Sequence, residues 1–195
     1  MQRRTSLVRG FTPPRFADPR RVGALAGLIG ACVFVFSYAD GFGVPFIYVA
    51  KISVVVVVLG TLWFLFVRPQ WLGEFMSPKP WAIGVYLLCV VGEFGLIRVG
   101  TEWLMVIGRA ELRPAVIALI VGLHFVPFAW AFRERMFYVL GGALIILGGL
   151  GLLTNWALAA AAGSGLVMAL LLLAYSLGMF ARRAAEEHRN SELSS

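Results

Sequence analysis

Charge is what this chain has least of. Only 14% of its 195 residues are charged, where a soluble domain carries about 25%. With 60% hydrophobic residues and a mean hydropathy of +0.86, it has too little polar surface to cover itself in water. That excludes an ordinary soluble domain and leaves an integral membrane protein. Cysteine is also scarce. Cys32 and Cys89 both fall in apolar runs, with no CxxC spacing, which excludes a disulfide framework or a thiolate metal site. They read as two small apolar fillers. Of the two histidines, only His124 lies in an apolar run, and His188 belongs to a polar tail. One intramembrane histidine cannot make a bis-histidine haem site, so no metal and no cofactor is expected.

What charge there is has one dominant sign. The net charge is +7 and the pI is near 10.1. In a soluble protein this would point to nucleic acid. Here the basic residues sit at the ends of apolar runs, with no basic stripe interleaved with aromatics, so no nucleic-acid partner is expected. They read instead as topology signals.

Six apolar runs fill most of the chain, at roughly 22–40, 45–67, 81–104, 114–132, 136–154 and 157–181. Each is close to the ~20 residues that cross a hydrocarbon core of ~30 Å as a helix. None shows the short alternating segments of a membrane β-barrel. The breaks carry turn residues: Asp40-Gly41-Phe42-Gly43-Val44-Pro45, Arg68-Pro69, Ser77-Pro78-Lys79-Pro80, Arg133-Glu134-Arg135 and Thr154-Asn155. Pro114 opens the fourth run, where its missing N–H costs nothing. The fold class is all-α: a polytopic membrane bundle of six transmembrane helices over residues 22–181. A basic tail precedes it at 1–21 and a second tail follows at 182–195.

Arg3-Arg4 resembles a twin-arginine export signal, and Ser37-Tyr38-Ala39 a signal-peptidase site. Four further arginines precede the first run, which exceeds the usual h-region of ~7–15 residues. A retained anchor helix is the expectation. An even number of spans puts both termini on one side. With them go thirteen of the seventeen Lys and Arg, while only Arg109 and Arg113 fall opposite and Lys51 and Arg98 lie within spans. The positive-inside rule makes both termini cytoplasmic, in a bacterial-type inner membrane. Trp71, Trp81, Trp103, Trp130 and Trp156 fall near span ends, as interfacial anchors do. Small residues recur every four positions at Gly23, Gly27 and Ala31, and at Ala161, Gly165 and Ala169. Such stripes let helix backbones approach closely. They serve packing within the chain, or a homo-oligomer or membrane-subunit contact.

The ionisable residues inside the runs are the clearest functional signal, because a charge at that depth costs ~3 kcal/mol on insertion scales. At 1.5 Å per residue, Glu93 and His124 both lie about 15 Å from the outer end of their spans. Arg98, Glu102, Lys51 and Asp40 lie further out. Arg98 and Glu102 are four apart and share a helix face, so they can pair. Glu93 and Arg98 are roughly 140° apart around a helix, so Glu93 needs a partner on another helix. His124 is at the right depth, with Lys51 also in reach through its long side chain. This arrangement reads as a polar vestibule ending at a midplane Glu–His pair that binds substrate or ion, or relays protons. The competing reading is a set of internal ion pairs that fix helix register, with Lys51 and Arg98 snorkelling to headgroups. Pro127, three residues past His124, frees a backbone carbonyl near position 123 and should kink the fourth span there.

The segment Gly122-Leu123-His124-Phe125-Val126-Pro127-Phe128-Ala129 resembles a GLHFxPxA stretch of uncharacterised bacterial six-helix membrane proteins, which implies no activity. Gly163-Ser164-Gly165 resembles the serine motif of rhomboid proteases, but there serine precedes histidine and here it follows. HExxH, P-loop and paired-aspartate phosphatidyltransferase patterns are missing. Three functions stay open. The first is a small-solute, ion or proton transporter, or a substrate-capturing subunit. Its size, span number and internal termini resemble the substrate-binding components of energy-coupling-factor vitamin transporters. The second is a membrane enzyme acting on a lipid or isoprenoid, with Arg98 and Lys51 holding a phosphate. The third is a non-catalytic assembly or stress-response membrane protein.

Overall fold

A computed structural model describes residues 19–68, 72, 80–132 and 134–181. The two tails, apart from 19–21, lie outside the described residues, as do Trp71, Lys79 and Arg133. Helices account for nearly all of it: α1 (Pro19–Tyr38), α2 (Phe46–Leu62), α3 (Pro80–Val106), α4 (Arg113–Phe132), α5 (Arg135–Thr154) and α6 (Ala157–Ser176). No strand occurs among the described residues. All six are long and apolar enough to cross a membrane. A π-helical turn, Trp63–Val67, extends α2, and short 3-10 turns occupy Ala39–Phe42 and Ala110–Leu112.

The helix ends follow local chemistry. Pro19 and Pro80 are the first described residues of α1 and α3, and proline is at home in a first helical turn, where its missing N–H costs nothing. The C-terminus of α3 closes around Gly108 at φ 70°. Arg109 N–H donates to the Leu104 carbonyl at 2.8 Å and Gly108 N–H to that of Met105 at 3.2 Å, the paired bonds of a Schellman motif. Asn155 ends α5 with φ 60°, a left-handed conformation that asparagine tolerates better than most residues. Although the sixth apolar run continues to 181, α6 ends at Ser176, just before Gly178 at φ 72°.

Packing is close where side chains vanish. A Cβ on Gly141 would lie 2.8 Å from the Gly122 carbonyl oxygen, and one on Gly148 would lie 2.6 Å from the Leu119 nitrogen. These glycines set α4 and α5 backbone to backbone in the most extensive interface of the bundle. Between apolar helices in an apolar solvent there is no hydrophobic drive, so such van der Waals contact carries association. The stripes of α1 and α6 face each other within the chain: a Cβ on Gly165 would lie 2.7 Å from the Ala31 carbonyl oxygen. Ala31, Ala161 and Ala169 are fully buried there, so these residues are not a surface for another subunit. Gly23 has open space around it.

The main core joins α1, α2, α4, α5 and α6 through Leu28, Val54, Val121, Leu144, Met168 and Leu172. α3 stands at the edge, packed chiefly on α4. Most of its side chains point outward and are apolar, and α2 also has an apolar outward face that includes Tyr48, Ile52, Val56 and Leu59.

Candidate functional site

The hydroxyls inside the helices are satisfied locally. Thr61 donates to the Val57 carbonyl, Thr101 to that of Ile97, Ser164 to that of Ala160 and Ser176 to that of Leu173, all at 2.7–2.8 Å. Glu93 behaves differently, because a carboxylate has no donor for its own helix carbonyls. It lies thirteen residues from either end of α3, on the strip that faces α4. There its Oε2 comes within 3.5 Å of His124 Nδ1, and the two side chains are only 17% and 11% exposed. Nδ1 is buried and makes no hydrogen bond, so the contact is at ion-pair distance without hydrogen-bond geometry.

Aromatic rings wall the histidine. Its imidazole centroid lies 4.2 Å from that of Phe125 and 5.1 Å, edge-on, from that of Phe128. Phe128 stacks on Tyr86 of α3 at 5.2 Å, and Trp81 meets Trp130 at 5.1 Å one turn further along the same interface. α4 remains helical through Pro127. That proline removes the N–H that would bond the Leu123 carbonyl, next to His124.

The other sequence-predicted residues are not gathered at this pair. Arg98 and Glu102 do bond each other, Nε to Oε1 at 3.0 Å, but on the outward side of α3, 80% and 52% exposed. Lys51 is half-buried on α2, which shares no substantial interface with α3. Asp40 is exposed in the 3-10 turn after α1. The expected single vestibule therefore resolves into a shielded pair, an outward ion pair and two separate residues.

A cleft does exist, lined by residues that sequence reasoning passed over. It is an open hollow of about 570 Å³ at one end of the bundle, among Tyr38 of α1, Ile97 and Thr101 of α3, Arg113 and Ile117 of α4, and Leu158 of α6. Glu111 borders it, held by Arg109 Nε at 2.7 Å, while Arg109 Nη2 donates to Asn155 Oδ1 at 2.6 Å. Arg113 Nη2 reaches the Met105 sulfur at 3.4 Å. Of the residues lining it, Ile97 is the nearest to Glu93 along α3, one turn away, and Ile117 the nearest to His124 along α4, two turns away. The sequence signal for this cleft was Arg113-Pro114 opening α4 beneath an acidic residue.

The class defined so far is an all-helical bundle with six helices able to span a membrane and a shielded carboxylate–imidazole contact between two of them. A family described as "Family of unknown function (DUF7010)" matches residues 99–182. That stretch runs from the end of α3 through α6 and includes His124 but not Glu93. No curated protein and no solved structure matches the chain.

Proposed function

We propose that the chain is a multi-pass membrane protein of transport type, with both termini cytoplasmic in a bacterial-type inner membrane. The Glu93–His124 pair takes up and releases a proton or small cation, coupled to solute capture at the cleft. The observation that carries this reading is the pair itself: two ionisable, largely covered side chains in contact at the middle of two apolar helices. Groups that expensive to bury mark ion and proton pathways, and two coupled sites share protons as a unit. The apolar outward faces of α2 and α3 need lipid rather than water around them. In this orientation the cleft opens to the outside, at the end that carries few basic residues. A purely structural assembly protein needs no such cleft, so its volume favours transport.

The test uses the purified protein in liposomes that enclose a pH-sensitive dye, with an imposed membrane potential. Proton flux should fall at least tenfold in Glu93→Gln and His124→Ala, a loss equal to about 1.4 kcal/mol of barrier, and persist in Glu102→Gln. If neither substitution changes proton flux or the binding of any screened solute, the reading is wrong.

A further inference from the structure

One face of α3 touches none of the described residues of the other helices. Gly84, Leu88, Val91, Gly95, Arg98 and Glu102 recur at spacings of four and three, the repeat that keeps one helix facing a partner over several turns. All six are exposed, Leu88 at 73% and Val91 at 70%. They lie on the side opposite Glu93, away from α4. Two further observations separate this face from the other lipid-facing ones. A Cβ at Gly84 or Gly95 would meet no atom within 4 Å, unlike Gly141 and Gly148, which the fold needs. Glycine inside a helix costs about 0.5–1 kcal/mol relative to alanine, and no contact among the described residues offsets it there. Gly142 and Gly149 of α5 are equally open, but their stripe carries no charge. The α3 face does: Arg98 and Glu102 pair along the helix and leave most of the guanidinium uncovered, several residues from the helix end and among side chains that otherwise suit hydrocarbon.

We propose that this face docks a second copy of the chain, α3 against α3, about a two-fold axis along the membrane normal. The occupant follows from charge complementarity. Two copies with the same topology run α3 parallel, so Arg98 of each lies one helical turn, about 5–6 Å axially, below Glu102 of the other. The same offset lets the pair close within one helix, so it also closes across the seam. The face is thus self-complementary, as an isologous contact requires. Gly84 and Gly95 let the backbones approach, as small residues do in membrane helix pairs. Apart from Gly23, the stripes of α1 and α6 are already packed internally, which leaves α3 as the charged face available for self-association. The inference stands whether or not the Glu93–His124 pair moves protons.

Disulfide crosslinking in native membranes tests it, with Cys32 and Cys89 replaced by alanine. Leu88→Cys and Val91→Cys should crosslink to dimers, whereas Ile146→Cys on the exposed face of α5 should not. In the Leu88→Cys background, Arg98→Glu makes the face wholly acidic and Glu102→Arg makes it wholly basic. Each alone should lose roughly tenfold of its dimer, about the span of interhelical polar contacts in membranes. Co-expressed with different tags, the two variants should recover the mixed dimer, which also shows that each folds. The proposal is overturned if Leu88→Cys crosslinks no faster than Ile146→Cys, if the single charge variants dimerise like the parent, or if the mixed pair fails to recover.

Discussion

Glu93 Oε2 and His124 Nδ1 lie 3.5 Å apart across the α3–α4 interface, with no hydrogen bond completed at the imidazole nitrogen. A pair placed there for stability alone would be expected to have better geometry. Removing one partner of a buried pair leaves the other without compensation, which is strongly destabilising, whereas replacing both with apolar groups of similar volume is often neutral or stabilising. Glu93→Leu alone should therefore lower stability by about 1–3 kcal/mol, read as a lower melting temperature in detergent. The double variant Glu93→Leu/His124→Phe should melt at or above the parent, because the new phenyl ring extends the cluster of Phe125 and Phe128, and should still lose proton flux. A double variant that melts below both single variants would make the pair a structural lock.

Gly141 and Gly148 put α5 against the α4 backbone. Backbone cannot swing aside as the end of a side chain can, so an added methyl overpacks the seam and costs about 1–3 kcal/mol. Gly148→Ala and Gly141→Ala should each lower the melting temperature in detergent and reduce the yield of folded protein. Gly142→Ala, one residue away with open space at its Cβ, should instead be neutral or raise stability by up to about 1 kcal/mol, the helix-propensity gain.

At the end of the bundle where α5 meets α6, Asn155 does two things at once. Its left-handed backbone turns α5 into α6, and its Oδ1 accepts from Arg109, which also holds Glu111 beside the cleft. Asn155→Gly keeps the first and loses the second, while Asn155→Ala loses both. The expected order of melting temperature is parent, then Gly, then Ala, with the last step about 1 kcal/mol from backbone strain alone. If Ala and Gly melt together, the turn geometry carries no strain.

The six helices were legible because continuous apolar runs near the bilayer length need no tertiary information. The Glu93–His124 contact was legible for a related reason: topology and rise per residue fix depth, and matched depth on consecutive spans brings residues within reach. Azimuth was not legible. Arg98 follows Glu93 by five residues, which turns it to the far side of α3, and only the position of α4 reveals which side is inside. Lys51 was at a workable depth, yet α2 packs on α1 and α6 rather than α3. The glycine seam of α4 and α5 passed unnoticed because Gly141, Gly148 and Gly151 follow a spacing of seven and three rather than repeated fours.

The cleft makes a prediction about sidedness that does not depend on transport. Thr101 and Leu158 lie on its walls, at the end where α3 turns into α4 and α5 into α6. In a chain with both native cysteines replaced by alanine, Thr101→Cys should react with a membrane-impermeant maleimide added to intact cells. Phe180→Cys, just past α6 at the opposite end, should react only after permeabilisation. Leu158→Trp places a bulky ring in the cleft and should slow labelling at position 101 severalfold without altering that at position 180. Ile97 and Ile117 are the lining residues nearest the pair along α3 and α4, so trimming both to alanine should deepen the cleft toward Glu93. Each truncation costs about 2–5 kcal/mol if the site is tightly packed, and less where it already borders open space. Because both side chains line the cleft, the smaller figure is expected, and the double variant should stay folded. If protons reach the pair from the cleft, its proton flux in liposomes should rise, and Glu93→Gln should abolish the increase. An increase that survives Glu93→Gln would show that the trimmed cleft merely leaks.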